Sequence, residues 1–205
     1  MSYSKVRITG LLACWLVAVV GCFYVFFWRF IQPFDFTGLY PDGQVNQHKL
    51  IDFVSGYTTS GNDLFIFHWL NPDCRCTQFT GDTIAQLAAD PHWAGAQHLL
   101  MVPPGKATAL VELLPQLLDL TEVAGYSIVT LSESAYRQSS QLIPATPGAL
   151  IFDLKKRSVS YLGPHNAGVV CGTGSSYVEL VLNNLQQGFD PQLLVLEQNG
   201  CFCRW

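Results

Sequence analysis

Charge is scarce in this chain of 205 residues, and positive charge most of all. Only 13% of the residues are charged, with 11 Lys and Arg against 15 Asp and Glu. From Phe30 onward eight basic residues face all fifteen acidic ones, a net charge near −7. A nucleic-acid-binding surface needs Lys and Arg to neutralise phosphates, so that class of partner is excluded. The one basic run, Lys155-Lys156-Arg157, reads as a hairpin turn. Internal repeats and low-complexity tracts are absent too, which leaves a single ordinary domain beyond the N-terminus. A phosphate loop is also missing. Gly172-Thr173-Gly174-Ser175-Ser176 is a glycine-rich turn and helix cap, but no Gly-Lys-Ser follows it. No cofactor is expected.

One stretch lacks charge altogether. Ile8 to Trp28 (ITGLLACWLVAVVGCFYVFFW) is 21 residues long, enough to cross a hydrocarbon core of about 30 Å. Tyr24 and Trp28 lie near its end, where aromatic rings favour the membrane interface. It is too long for a signal-peptide core, and no small-x-small cleavage site precedes the domain. The expectation is a single-pass anchor over residues 8–29, with residues 1–7 cytoplasmic. Lys5 and Arg7 before the span, against Arg29 after it, place the domain in the periplasm or an equivalent oxidising space.

Past the anchor, residues 30–45 are rich in Phe, Pro, Gly and Asp and read as a linker. Strands and helices then alternate. Asn46–Tyr57 carries Leu50, Phe53, Val54 and Tyr57 on one helical face. Leu64–Leu70 (LFIFHWL) is a short apolar run between turns, the pattern of a buried central strand. Thr77–Ala89 suits a helix stopped by Asp90-Pro91. His98–Val102, Ser127–Leu131, Gly148–Phe152 and Ser158–Leu162 are further strands. Helices are expected over Ala107–Leu120, kinked by Pro115, over Ser132–Ser139, and from Ser175 or Ser176 to about Gln187. The pattern predicts an α/β domain with a mixed sheet flanked by helices.

Cysteine carries the chemistry. Of seven, Cys14 and Cys22 fall in the apolar stretch and read as small filler. Cys74-Arg75-Cys76 opens the helix after the central strand. A helix start lowers a thiol's pKa, and Arg75 adds a cation, while Asp73 opposes both. A disulfide across one intervening residue would be strained and easily reduced.

This order of strand, cysteine motif at a helix start, βαβ unit, Thr-Pro, hairpin and last helix resembles the thioredoxin superfamily. The closest likeness is to the branch containing membrane-anchored bacterial thiol oxidoreductases and peroxiredoxins, and the whole chain resembles a membrane-anchored thioredoxin-like group with a Cys-x-Cys motif. The segment IPATPGALIFDLKKRSVSYLG carries the resemblance, which covers roughly residues 46–188. It implies that Pro147 is a cis-proline beside the cysteines and that Thr146 and Pro147 hold a substrate strand. The family motif is Cys-x-x-Cys. Counted from Trp69, Cys76 takes the resolving position and Asp73 the nucleophile's. The peroxiredoxin pattern Pro-x-x-x-Thr-x-x-Cys is missing, which argues against a peroxidase.

In such a fold the loop Gly163–Gly174 returns to the same end, so Cys171 is expected near Cys74 and Cys76. The tail, residues 189–205, ends in Gly-Cys-Phe-Cys-Arg-Trp. At about 3.3 Å per residue it is long enough to bring Cys201 and Cys203 back as a relay. Three functions stay open. One is a membrane-tethered thiol-disulfide oxidoreductase or isomerase acting on protein thiols through Cys74, Cys76 and Cys171. The second is a Cu(I) or Zn(II) module using Cys74, Cys76, His165 and Cys171. The third is a non-catalytic scaffold with fixed disulfides. His68, alternating with apolar residues in a central strand, reads as a core histidine.

Overall fold

A computed structural model of the chain describes residues 3–40, 42, 44–59, 61–93, 95–117, 125–166 and 175–205, without the side chains of 3–9, 26–30 and 88. Helix α1 (Tyr3–Phe30) contains the charge-free stretch. Leu11, Trp15, Val17, Phe23 and Val25 on it are each more than 60% exposed. Among the described residues no helix is long and apolar enough to cross a membrane. The described side chains of α1 run only from 10 to 25, and a span needs about 20 apolar residues.

The domain is built on a six-stranded sheet. Its strands are β2 (Leu64–Trp69), β3 (Ala96–Val102), β4 (Tyr126–Thr130), β6 (Gly148–Asp153), β7 (Ser158–Pro164) and β8 (Leu194–Val195). They lie in the order β4-β3-β2-β6-β7-β8. β2, β3 and β4 are parallel, β6 is antiparallel to β2, and β7 is antiparallel to β6. This mixed sheet with helices on its faces is consistent with the thioredoxin-like arrangement expected.

Both faces of β2 are covered, which explains its unbroken apolar run. Phe65, Phe67 and Trp69 pack with Leu50 and Phe53 of α2 (Gln47–Ser55) and with Leu142 and Ile143. On the opposite face Ile66 meets Leu87 of α3 (Thr77–Ala89) and Val178, Val181 and Leu182 of the last helix (Tyr177–Gln186). The caps follow the sequence. Asn46, Ser132 and Ser176 accept hydrogen bonds from the backbone N–H of Lys49, Ala135 and Glu179, each typically worth about 1 kcal/mol.

Two expectations are corrected. Helix α4 (Ala107–Leu113) stops there rather than running kinked to Leu120. Leu114 precedes Pro115, whose ring disfavours helical geometry in that residue; residues 118–124 lie outside the described residues. Part of the supposed linker 30–45 belongs to the fold. Within it, β1 (Gln32–Phe34) pairs with β9 (Gln198–Gly200) of the tail, and Phe34 and Phe36 are buried in the core. Their apolar area is worth more inside than in a solvated connector.

Candidate functional site

The site begins at the peptide between Thr146 and Pro147, which is cis. One hydroxyl organises its surroundings. Thr146 Oγ1 donates to the Trp69 carbonyl (2.9 Å) at the end of β2 and accepts from the Asn71 N–H (3.1 Å). The loop leading to the cysteines is thereby pinned to β5 (Ala145–Thr146). The Cys74 N–H bonds the Asn71 carbonyl at 2.9 Å, and Cys76 takes the N-cap position of α3.

Cys74 is 1% exposed, and its sulfur lies 3.6 Å from the Thr146 carbonyl oxygen. Asp73, which the count from Trp69 put at the nucleophile position, instead points outward and pairs with Lys106 at 2.9 Å. The missing residue of the Cys-x-x-Cys spacing thus leaves Cys74, not Asp73, against the cis-proline peptide.

Cys74 and Cys76 are not bonded to each other. Cys74 pairs with Cys203 and Cys76 with Cys201, across Cα–Cα distances of 5.8 and 5.5 Å. The tail strand β10 (Cys203–Arg204) lies antiparallel to β5, with Cys203 opposite Thr146 and Arg204 opposite Ala145. Aromatic side chains hold the tail down. Phe202 packs edge-on against Phe34 at 5.3 Å. The Trp205 indole donates to Ser139 Oγ at 2.7 Å and meets Tyr136 edge-on. The sulfur atoms of Cys74, Cys76 and Cys203 lie within 4.8 Å of one another. The tail cysteines foreseen as a relay therefore form half of the site.

Cys171 lies outside the described residues. His165 stands apart from the cysteines, in a feature the sequence reading missed. It is the end of a buried line of three imidazoles. His165 Nε2 is 3.2 Å from His68 Nδ1, and His68 Nε2 is 3.0 Å from His98 Nδ1. The His98 ring stacks on Tyr126, with centroids 4.3 Å apart. Burial pushes all three away from the protonated state. His98 and His165 are lowered to about 3, and His68 is lowered well below 6.5 by burial and by its two neighbours. The signal was a histidine in each of two largely apolar strands, LFIFHW and AQHLLMV. Beside Ser175 and Ser176, the groove is lined by Asp90 and Glu179 and, among the described residues, by no Lys or Arg, a poor cradle for phosphate.

A family model described as "Domain of unknown function (DUF6436)" matches residues 44–205, and the chain belongs to that family. No match was found among curated proteins. Among solved structures, an uncharacterized conserved protein from Geobacillus kaustophilus is 14% identical with a TM-score of 0.49, over 70% of this chain and 78% of that one. A hypothetical protein from Sinorhizobium meliloti is 14% identical with a TM-score of 0.47, over 73% and 82%. A secreted Mycobacterium tuberculosis disulfide oxidoreductase is 9% identical with a TM-score of 0.35, over 45% and 63%. These likenesses are too distant to carry activity across.

Proposed function

We propose that this member of the DUF6436 family is a membrane-tethered thiol-disulfide oxidoreductase whose working couple is Cys74 and Cys203. The observation that carries the reading is the tail. An extended segment adds a strand to Ala145–Thr146 and bonds its cysteine to Cys74. This is the pose a substrate cysteine would take on the cis-proline peptide, and the chain holds it with its own C-terminus.

The chemistry follows from exposure and helix electrostatics. Cys203 is half-buried and Cys74 almost fully buried, so a thiolate of a dithiol redox partner reaches Cys203 first. The Cys74–Cys203 bond breaks, and Cys74 leaves as a thiolate next to the start of α3, where free N–H groups favour negative charge. The partner's second thiolate releases Cys203 as a thiol, and the partner's dithiol becomes a disulfide. With the tail strand lifted, the Cys74 thiolate attacks a protein disulfide lying along Ala145–Thr146 and expels one substrate thiolate. The Cys203 thiolate then attacks Cys74, restores the bond and expels the second. Two electrons pass from partner to substrate, and the reverse sequence oxidises a substrate dithiol.

Cys74→Ala is expected to lower disulfide-exchange turnover on a protein substrate by about 100-fold or more, whereas Cys14→Ala leaves it unchanged. Equal activity of Cys74→Ala and the parent chain would sink the proposal. The tether is supported by the exposed apolar side chains of α1 and by the length of its uncharged sequence. With the domain on the periplasmic side of a bacterial inner membrane, the oxidising space suits paired cysteines. The full chain should stay with membranes through an alkaline wash, and release into the wash would reject the tether.

A further inference from the structure

We infer that the reduced site is a tetrathiolate zinc site, formed by Cys74, Cys76, Cys201 and Cys203. This goes beyond the exchange reading and does not rest on it. Three of the four sulfurs already lie within 4.8 Å of one another, and the fourth, that of Cys201, is bonded to Cys76. In a tetrahedral site with Zn–S bonds of about 2.3 Å, the sulfurs are about 3.8 Å apart. Opening the two disulfides moves the bonded pairs apart toward that spacing; Cys74, Cys76 and Cys203 need only a small approach, and the Cys201 sulfur, which lies outside that group of three, closes the larger gap from the tail.

The ligand set is two pairs, one at the entry to α3 and one on the tail. The elements that bring them together do not depend on the disulfides alone. β10 is hydrogen-bonded to β5, β9 to β1, and Phe202 and Trp205 are buried. Reduction therefore leaves four thiols facing one another. Four thiolates around Zn(II) carry a double negative charge. The site supplies opposing charge in sequence, with Arg75 inside one pair and Arg204 beside the other, and the N–H groups at the start of α3 add to it. Four converging sulfurs favour tetrahedral Zn(II) over the lower coordination numbers of Cu(I).

The redox balance is complete. Two disulfides take up four electrons and four protons and give four thiols: two equivalents of a dithiol supply both and become disulfides, or two equivalents of a phosphine supply the electrons and become phosphine oxide while two waters supply the protons. Zn(II) then displaces four protons. Reoxidation by two equivalents of a disulfide oxidant, which take up the four electrons and leave as four thiols, removes all four ligands and releases the ion, so metal content reports the redox state.

The test uses the full chain in detergent, reduced without oxygen by a phosphine and given Zn(II) alone. Native mass spectrometry should show one Zn per reduced chain and none per oxidised chain. Cobalt(II) in its place should give the visible bands of a tetrahedral thiolate site. Cys201→Ala and Cys203→Ala, each treated alike, should bind Zn at least 100-fold more weakly. Less than half an equivalent on the reduced parent chain would overturn the inference. So would single variants that bind as tightly as the parent, the result expected if reduction unfolds the chain and loose thiols collect metal. Failure of metal binding leaves disulfide exchange at Cys74 intact, and loss of exchange leaves the metal stoichiometry intact.

Discussion

Replacing Cys201 and Cys203 together with alanine is expected to destabilise the domain far more than twice either single replacement. The reason is geometric. The two bonds span 129 and 125 residues and close almost the same loop. Whichever forms first removes the entropy of that closure, about 5 kcal/mol in the chain-entropy account. The second then closes only a small ring through Cys74–Cys76 and Cys201–Cys203, worth about 2 kcal/mol. Cys203→Ala or Cys201→Ala alone should thus cost about 2 kcal/mol, and the double replacement about 7 kcal/mol. Denaturant unfolding of the three variants measures this directly. Additive singles would mean that the two bonds do not share one closure.

Acid should unfold the domain through its histidines before its carboxylates matter. The folded-state pKa values of His68, His98 and His165 are all depressed. Above about pH 6.5 both folded and unfolded chains carry these rings neutral, and their contribution is fully present. As pH falls below 6.5, the unfolded chain takes up protons that the buried line refuses, down to about pH 3 for His98 and His165. Three such groups give a slope of at most about 4 kcal/mol per pH unit. Urea melts at pH 7.5 and pH 5.5 should therefore differ by several kcal/mol. His68→Phe should lower stability at pH 7.5, because His98 and His165 each lose a partner, a cost of about 1–3 kcal/mol per buried group. It should also flatten the slope. A parent chain equally stable at both pH values would contradict a neutral buried line.

Much of this architecture was legible, and the reasons are local. Leu64–Trp69 declared itself by an unbroken apolar run between turns, because a strand covered on both faces has no reason to alternate. Ser132 and Ser176 announced helix starts because a hydroxyl there satisfies a free N–H. Thr146 and Pro147 could be placed beside the cysteines from the resemblance to the thioredoxin superfamily. The remaining features depend on contacts distant in sequence. Nothing in the spacing of Cys74, Cys76, Cys201 and Cys203 says which pairs with which. The tail crosses to β5 only because Phe202 and Trp205 find pockets against Phe34 and Ser139. Phe34 reads as linker for the same reason, since its three-residue strand exists only with Gln198–Gly200 as partner. The histidine line needs β2, β3 and the residue that follows β7 brought together before the three rings meet. Counting from Trp69 pointed to Asp73, but in the turn Asp73 swings out to Lys106 and Cys74 turns in.

The packed tail also fits a domain in which both disulfides are fixed. What separates that reading from exchange is whether Cys74 captures a foreign sulfur once its partner is gone. Cys203→Ala keeps the Cys76–Cys201 bond and leaves Cys74 with a free thiol. Incubated with a disulfide-linked peptide, this variant should form a stable mixed disulfide, with one peptide per chain mapped to Cys74 and one peptide thiol released. Absence of an adduct, or an adduct on any cysteine other than Cys74, would contradict the account.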